Sequence, residues 1–485
     1  MPGVTITQVG ASNKNNARNT ADQLFIVGLA ERGPASTPVT VRSIGEFTQV
    51  FGGYIADSYA YDTLKIFFDE GGRLANFVRV VGPTTSKGSV TLTGGTNTPL
   101  ITLTATSPGR YSADYQVKVE ASPLALNQST PDVVNVALLH QGAPVANARN
   151  ARTCAEIAAK LGVNGLVKVQ LTPEANGALL PTVGSFPLSA GDDDVLHVTP
   201  QQFYKALELF PATMGPGAVA IPDLAGVEQA WHVVTEHAEN NRRIALLAAD
   251  RDNSDALSLQ RVFSQSPVVS DSAGVFAPWI KVRSEGTTRT IPPVGYVAGV
   301  RARTIQQVGV WRVPAGSIAD SKAIVELDAA YTREEGEALD EAGVSLIRKI
   351  VNTNRLYGYR SLAKDDNYHF LTARDFVNKL AYDCEALLED FVFESIDGAG
   401  HLVTRLENAL LGYLIPIANL NGLYPLLDDA GSPIDPGYVV DVGPSVNTPA
   451  SLSRNELNAK VGVRISPTAA MVNLTIVKVP VQQAF

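Results

Sequence analysis

His232, Glu236 and His237 fall within six residues in the stretch His232-Val233-Val234-Thr235-Glu236-His237, the residue types from which zinc hydrolases build a helix-borne metal site. The spacing defeats that chemistry. Ligands on one helical face stand four residues apart, whereas a separation of five turns the two imidazoles about 140° from each other. The stretch reads instead as an amphipathic helix with a partly exposed face. Asp192-Asp193-Asp194 offers three carboxylates without the spaced oxygens and distal glutamate of a calcium loop, and is expected to be a solvated turn. Gly215-Pro216-Gly217 precedes a strand, whereas a phosphate cradle needs strand, glycines and then helix, so it reads as a tight turn. Cys154 and Cys384 have no Cys or His at metal-ligand spacing and are expected to be reduced thiols. No serine sits in a Gly-x-Ser-x-Gly elbow, and His140, His197, His232, His237, His369 and His401 lack an evident nucleophile partner. No catalytic residue, metal ligand or cofactor is expected.

Composition bounds what must carry these residues. Of 485 residues, 45% are hydrophobic and 18% charged, enough to bury sizeable cores, and ~150 residues per domain suggests about three domains. The 39 Lys and Arg against 48 Asp and Glu leave a net charge of −9, which argues against direct nucleic-acid binding. The sequence opens without a basic segment and apolar run, and no apolar run reaches the ~20 residues of a bilayer span. A soluble, cytoplasmic chain without membrane insertion is expected.

Along the chain, Val4 and Ile6 alternate with Thr5 and Thr7 as in an extended strand, followed by a polar, Asn-rich linker at 12–20. Leu24 to Gly28 reads as a buried strand. Ser58 heads a helix with Tyr61, Leu64, Phe67 and Phe68 inward, Gly71-Gly72 stops it, and Phe77 to Val81 supplies the next strand. Residues 87–195 change character: Thr, Gly, Pro and Asn dominate short alternating runs, an all-β signature broken by one helical patch at 155–161. From Gln201 the α/β alternation returns. Farther on, Leu339, Ala342, Leu346, Ile347 and Ile350 form one helical stripe, and Phe376 to Phe391 forms a longer one carrying Cys384. Lys460 to Ile465 and Val472 to Val479 alternate as strands. The fold class is thus α/β (α+β) and multidomain, an α/β core with an inserted β-rich domain and extended N- and C-terminal strand arms. The expected divisions are an N-terminal arm at 1–20, core at 21–86 and 196–330, the insertion at 87–195, a helical α+β inner domain at 331–470 and a C-terminal arm at 471–485.

In this order the segments resemble the tail sheath protein of contractile bacteriophages and related injection systems. The similar stretches are Pro2-Gly3-Val4, "LFIVGLAERGP" from Leu24 to Pro34, Ile44-Gly45-Glu46-Phe47 with Phe51-Gly52-Gly53, and Phe67 to Gly72 leading into Phe77-Val78-Arg79-Val80. To these are added "PGRYSADYQVKVE" from Pro108 to Glu120, and Pro292-Pro293 through Arg303-Thr304 to Trp311 and Pro314-Ala315. Where the family often has Trp-Gly-Ala-Arg-Thr, Leu356-Tyr357-Gly358-Tyr359-Arg360-Ser361 stands instead, the mark of a divergent member.

The resemblance implies a structural subunit that polymerises around a tail tube and contracts to drive it through a cell envelope. Its partners would be copies of itself in stacked hexameric rings, the tail tube protein, and baseplate and tail terminator proteins. Its location would be a virion tail or injection-system sheath, assembled in the bacterial cytoplasm. Terminal strands without local hairpin partners fit such a polymer, because they would pair with other chains. Val4, Ile6 and Gln8 of one subunit are expected to join a sheet containing Leu474, Ile476 and Lys478 of another, and 87–195 to face outward. The resemblance places residues 334–413 toward the tube, where Arg374, Lys379, Glu385 and Glu389 lie off the apolar stripe. The alternative, an α/β enzyme with a ligand-binding β insertion, rests on the α/β alternation alone.

Overall fold

The computed structural model describes residues 20–95, 97–176, 179–252, 255–265 and 268–470, which fall into two compact units, 20–303 with 314–371 and 304–313 with 372–470. Val4, Ile6, Gln8, Leu474, Ile476 and Lys478 lie outside the described residues.

The larger unit is organised by strands with no polar face. Leu24–Gly28 is buried throughout, as are Ala218–Ala220, Ile244–Ala248 and Ala273–Ala277, the pattern of a parallel sheet covered on both sides. Leu24 pairs with Ala75 on one side and Ala218 on the other. The eight-stranded order is Thr353–Leu356, Val344–Ile350, Ala273–Ala277, Ile244–Ala248, Ala218–Ala220, Leu24–Gly28, Ala75–Arg79 and Val39–Val41. The six inner strands run parallel, and the outermost strand at each edge runs antiparallel to its neighbour. Helix Ala60–Asp69 buries Leu64, Ile66 and Phe67, and ends where Gly71 takes a φ of +112°. Phe25, Val78, Phe210, Trp231 and Val275 belong to one core cluster beside the sheet.

One expectation fails here. The stripe from Leu339 to Ile350 is not one helix: the helix is Arg333–Glu341, and Val344–Ile350 is a strand parallel to Ala273–Ala277. Gly343, at a φ of +89°, breaks the helix, and a buried apolar run matches strand and helix periodicity equally until a partner strand decides. Residues 331–371 accordingly lie in the larger unit with the sheet. The hairpin leaving that strand turns at Val351, whose φ is +57° and whose side chain is 87% exposed. A left-handed conformation costs such a residue ~1–2 kcal/mol. Val351→Asn is expected to raise subunit stability by about 1 kcal/mol, read as a higher denaturant midpoint at constant slope; an unchanged midpoint would count against strain at this turn.

Residues 89–187 build two antiparallel sheets. Gly184–Pro187, Tyr115–Ala121, Val134–His140 and Ala143–Ala151 form one, and Ser89–Thr93, Pro99–Ala105 and Val167–Leu171 the other. With helix Cys154–Leu161 they enclose a separate core containing Leu92, Leu103, Val117, Leu138 and Ile157. The chain leaves and returns side by side: Ser86 and Asp192 exchange backbone hydrogen bonds of 2.8 and 3.0 Å.

In the smaller unit, helices Leu371–Leu388 (from Thr372) and His401–Asn419 supply Phe376, Leu380 and Leu414 to a core shared with Val310 and Leu423. Gly422 lets Trp311 approach; a Cβ there would lie 2.7 Å from the indole. Tyr438–Asp441 pairs antiparallel with Lys460–Val463 in a two-stranded sheet. No helix among the described residues is long and apolar enough to cross a membrane.

Candidate functional site

In an open α/β sheet the default ligand site is the crevice beyond the carboxyl ends of the strands where strand order reverses, here between Leu24–Gly28 and Ala218–Ala220. That crevice is filled by the chain itself. The Asp223 carboxylate accepts from Leu29 N–H at 3.1 Å, Tyr59 N–H at 2.6 Å and Ser58 Oγ at 2.8 Å. It occupies the start of helix Ala60–Asp69, the position at which nucleotide-binding α/β proteins in general hold a phosphate. A Cβ on Gly28 would meet the Cβ of Ala60 at 2.5 Å, so strand and helix are packed to contact.

Burial pushes the Asp223 carboxyl up to about 6, against the opposing pull of its hydrogen bonds and of Arg289. A raised acid favours the folded state at low pH. Between pH 4 and 6 the unfolded chain releases this proton while the folded chain retains it, so stability falls as pH rises through that window. The shift corresponds to roughly 3 kcal/mol. Asp223→Asn is expected to flatten this segment of the stability profile, measured by urea unfolding at pH 4 and 6.5; a slope equal to wild type would assign it to other groups.

The residues that resembled a metal site are separated as their spacing requires. On helix Glu228–Asn240, His232 is exposed, whereas His237 is partly buried and its Nε2 lies 2.8 Å from Arg243 Nη1. Burial first, and then Arg243, lower its pKa to about 3, so the ring is neutral and can accept from the guanidinium. Arg243 also donates to the carbonyls of Phe210 and Pro211 and lies 3.7 Å from the Phe25 ring centroid.

The Asp192–Asp194 run is not the solvated turn expected of three adjacent carboxylates. Asp193 pairs at 2.9 Å with Arg79, whose side chain is fully buried. Arg79 also donates to the carbonyls of Ala30, Gly33 and Pro108. Asp194 accepts from Thr84 N–H at 2.9 Å and lies 2.5 Å from His197 Nδ1. These bonds hold both stems of the 89–187 lobe to the sheet. Two further buried carboxylates act alike. Glu70 receives Arg303, Ser321 Oγ and the N–H groups of Lys322 and Ala323. Asp62 receives Arg289 and Ser284. The arrangement immobilises elements, because each carboxylate collects donors from segments far apart in the chain. A charged residue inside the apolar run Phe77-Val78-Arg79-Val80 was the available signal for the first of these anchors.

The residues expected to face a tube divide. Glu385 and Glu389 are exposed and Arg374 is half-buried, but Lys379 is 7% exposed and pairs with Asp383, which also accepts from Tyr413 Oη at 2.5 Å. Lys379 is therefore part of the contact between the two long helices, since a lysine four residues before an aspartate meets it on one helical face. The two-stranded sheet is a plainer candidate for assembly. Among the described residues its strands pair only with each other, leaving one unpaired edge on each, and Val439 is 57% exposed. Arg464 fixes its base, pairing with Asp435 at 2.8 Å while its N–H donates to the Gly437 carbonyl at 2.7 Å.

As a whole this fold is similar to that of contractile tail sheath proteins. The sheath tail protein of Listeria innocua overlays with a TM-score of 0.63 at 14% identity, covering 90% of this chain and 92% of that one. The sheath of an extracellular contractile injection system, PVC, in its contracted state has a TM-score of 0.58 at 14% identity and covers 100% of this chain and 99% of that one. A chain of the anti-feeding prophage baseplate has a TM-score of 0.56 at 16% identity, with 99% of both chains covered. No protein-family model and no curated protein matches the sequence.

Proposed function

We propose that this chain is a structural subunit of a contractile sheath, polymerising around a tail tube and contracting to drive it through a cell envelope, without a catalytic step, metal or cofactor of its own. The observation that carries this reading is end-to-end likeness to a contracted injection-system sheath. The hydrogen bonds that Asp223 accepts in the crevice between Leu24–Gly28 and Ala218–Ala220 support this reading over an α/β enzyme with a ligand-binding β insertion.

In this reading residues 1–20 and 471–485 are exchanged between subunits. Val4, Ile6 and Gln8 pair in one sheet with Leu474, Ile476 and Lys478 of another copy, and the open edges of Tyr438–Asp441 and Lys460–Val463 are the natural seed for that sheet. The partners are further copies in stacked hexameric rings, the tail tube, and baseplate and tail terminator proteins, in a virion tail or injection-system sheath assembled in the bacterial cytoplasm. The insertion at 87–195 faces outward. Arg374, Glu385 and Glu389 face the tube through polar contacts that can be released on contraction.

Electron microscopy of the concentrated, purified chain tests the reading: tubes or large rings are expected, and a small discrete oligomer at every concentration would refute it. For the tube face, Glu385→Lys with Glu389→Lys should weaken co-assembly with the tube about ten-fold and reduce its salt dependence. Unchanged co-sedimentation would assign the tube contact to another element. Lys379 is left out of that test because reversing it would break the helix pair.

A further inference from the structure

Among the described residues, the non-glycine positions with left-handed backbone are polar or charged except two, Val351 and Phe393. Phe393, at a φ of +66°, is the more extreme, because its side chain is entirely exposed. It lies in the connection between helices Leu371–Leu388 and His401–Asn419, beside Val392 and Ile396, which are also exposed.

This tip is tied in place. Asp397 accepts from the N–H groups of His401 and Leu402, each at 3.0 Å, at the start of the second helix. Glu394 pairs with Arg405 at 2.9 Å, and the Arg405 guanidinium lies 5.6 Å from the Phe391 ring centroid. Water-exposed phenylalanine gains nothing for the isolated subunit, and its left-handed backbone is a cost that asparagine would avoid. A rigidly held apolar tip of this kind marks an interaction surface.

The same chain carries a fitting receptor. A groove of about 480 Å³ in the larger unit runs between helix Ala60–Asp69 and strands Ile280–Ser284 and Ile324–Leu327. Its lining includes the apolar Ile66, Val282 and Ile324, and Arg283 and Lys322 stand exposed beside them. Lys65 and Asp69 also line it and neutralise each other at 2.8 Å. Its walls are fixed by buried carboxylates, Asp62 on Arg289 and Glu70 on the Lys322 and Ala323 N–H groups. Arg405 balances Glu394, which leaves the exposed Asp390 as the acidic group beside the apolar tip, and Arg283 and Lys322 as the basic groups beside the groove.

We infer that the Val392-Phe393 tip of one subunit seats in this groove of a second copy, with Asp390 facing Arg283 and Lys322. Knob and groove are different surfaces of one chain, so a one-way contact is heterologous and propagates into a ring or helix, as the polymer reading requires. The inference rests on the polymer reading above, and it uses a different face from the tube contact. Asp390 projects about 120° from Glu389 on the 3-10 turn Glu389–Phe391.

The test uses the full-length chain and the lowest concentration at which it forms sedimentable polymer. Phe393→Asn should leave the unfolding temperature of the unassembled subunit equal or higher while raising the polymerisation threshold about ten-fold or more. Asp390→Lys and Lys322→Glu should each raise the threshold alone and largely restore it when combined. Polymerisation of Phe393→Asn at the wild-type threshold, including the case in which only its hold on tube or baseplate is lost, overturns the contact. Failure of the charge-swapped pair to recover overturns the groove as the receptor. If the wild-type chain forms no polymer, the sheath reading falls and this contact with it, whereas polymers from wild type and Phe393→Asn alike dispose of the contact alone.

Discussion

Deleting residues 1–19 should yield a folded subunit that no longer forms tubes. The deletion ends before the short 3-10 turn Thr20–Asp22, and the sheet that organises the larger unit draws its strands from within residues 24–356. The three cores described above take their buried residues from Phe25 onward, and the thermal unfolding midpoint of the subunit is expected to move little. Assembly is different. If Val4, Ile6 and Gln8 supply a strand to another copy, about four to six main-chain hydrogen bonds at about 1 kcal/mol each are lost per contact, or roughly three to four orders of magnitude in the association constant. Sedimentation and electron microscopy would show monomer at concentrations where the intact chain is tubular. Tubes of normal appearance would remove strand exchange through the N-terminal arm, and with it the use of the arm as a tether during contraction.

Asp193→Ala should destabilise the subunit by about 3–5 kcal/mol, the largest single-residue loss expected, because it strands the charge of Arg79 in a site with no exposure to water. Desolvation already lowers the Arg79 pKa, and Asp193 is the carboxylate that counters it at hydrogen-bond distance. The readout is the denaturant midpoint, with Arg79→Met plus Asp193→Ala recovering part of the loss by removing the orphaned charge. A midpoint within 1 kcal/mol of wild type would mean that the carbonyls of Ala30, Gly33 and Pro108 suffice for the guanidinium. The pair also defines how the outer lobe can be removed. A deletion joining Thr85 to Leu196 would carry away Asp193 and Asp194, whereas one that rejoins Ser86 to Asp192 keeps both on the sheet and should leave a soluble body.

The central strands and the change to β structure after residue 87 were legible in the sequence because burial on both faces forces an uninterrupted apolar run, and alternation over short Thr-rich runs admits little but strands. The likeness to contractile sheaths followed from the order of such stretches, and it holds at the level of fold. The wrong spacing of His232 and His237 was equally decisive, since helical geometry is local. Tertiary structure alone decided the rest. Val344–Ile350 became a strand because Ala273–Ala277 offered an unfilled edge, which no local periodicity encodes. Arg79 met Asp193 across 114 positions, Arg303 met Glu70 across 233, and Lys379 turned inward to Asp383 under Tyr413 from the neighbouring helix. A charge shows its type in the sequence, but its partner and its distance from water are set by which distant segments fold against it, and those two quantities determine whether it anchors a core or faces another molecule.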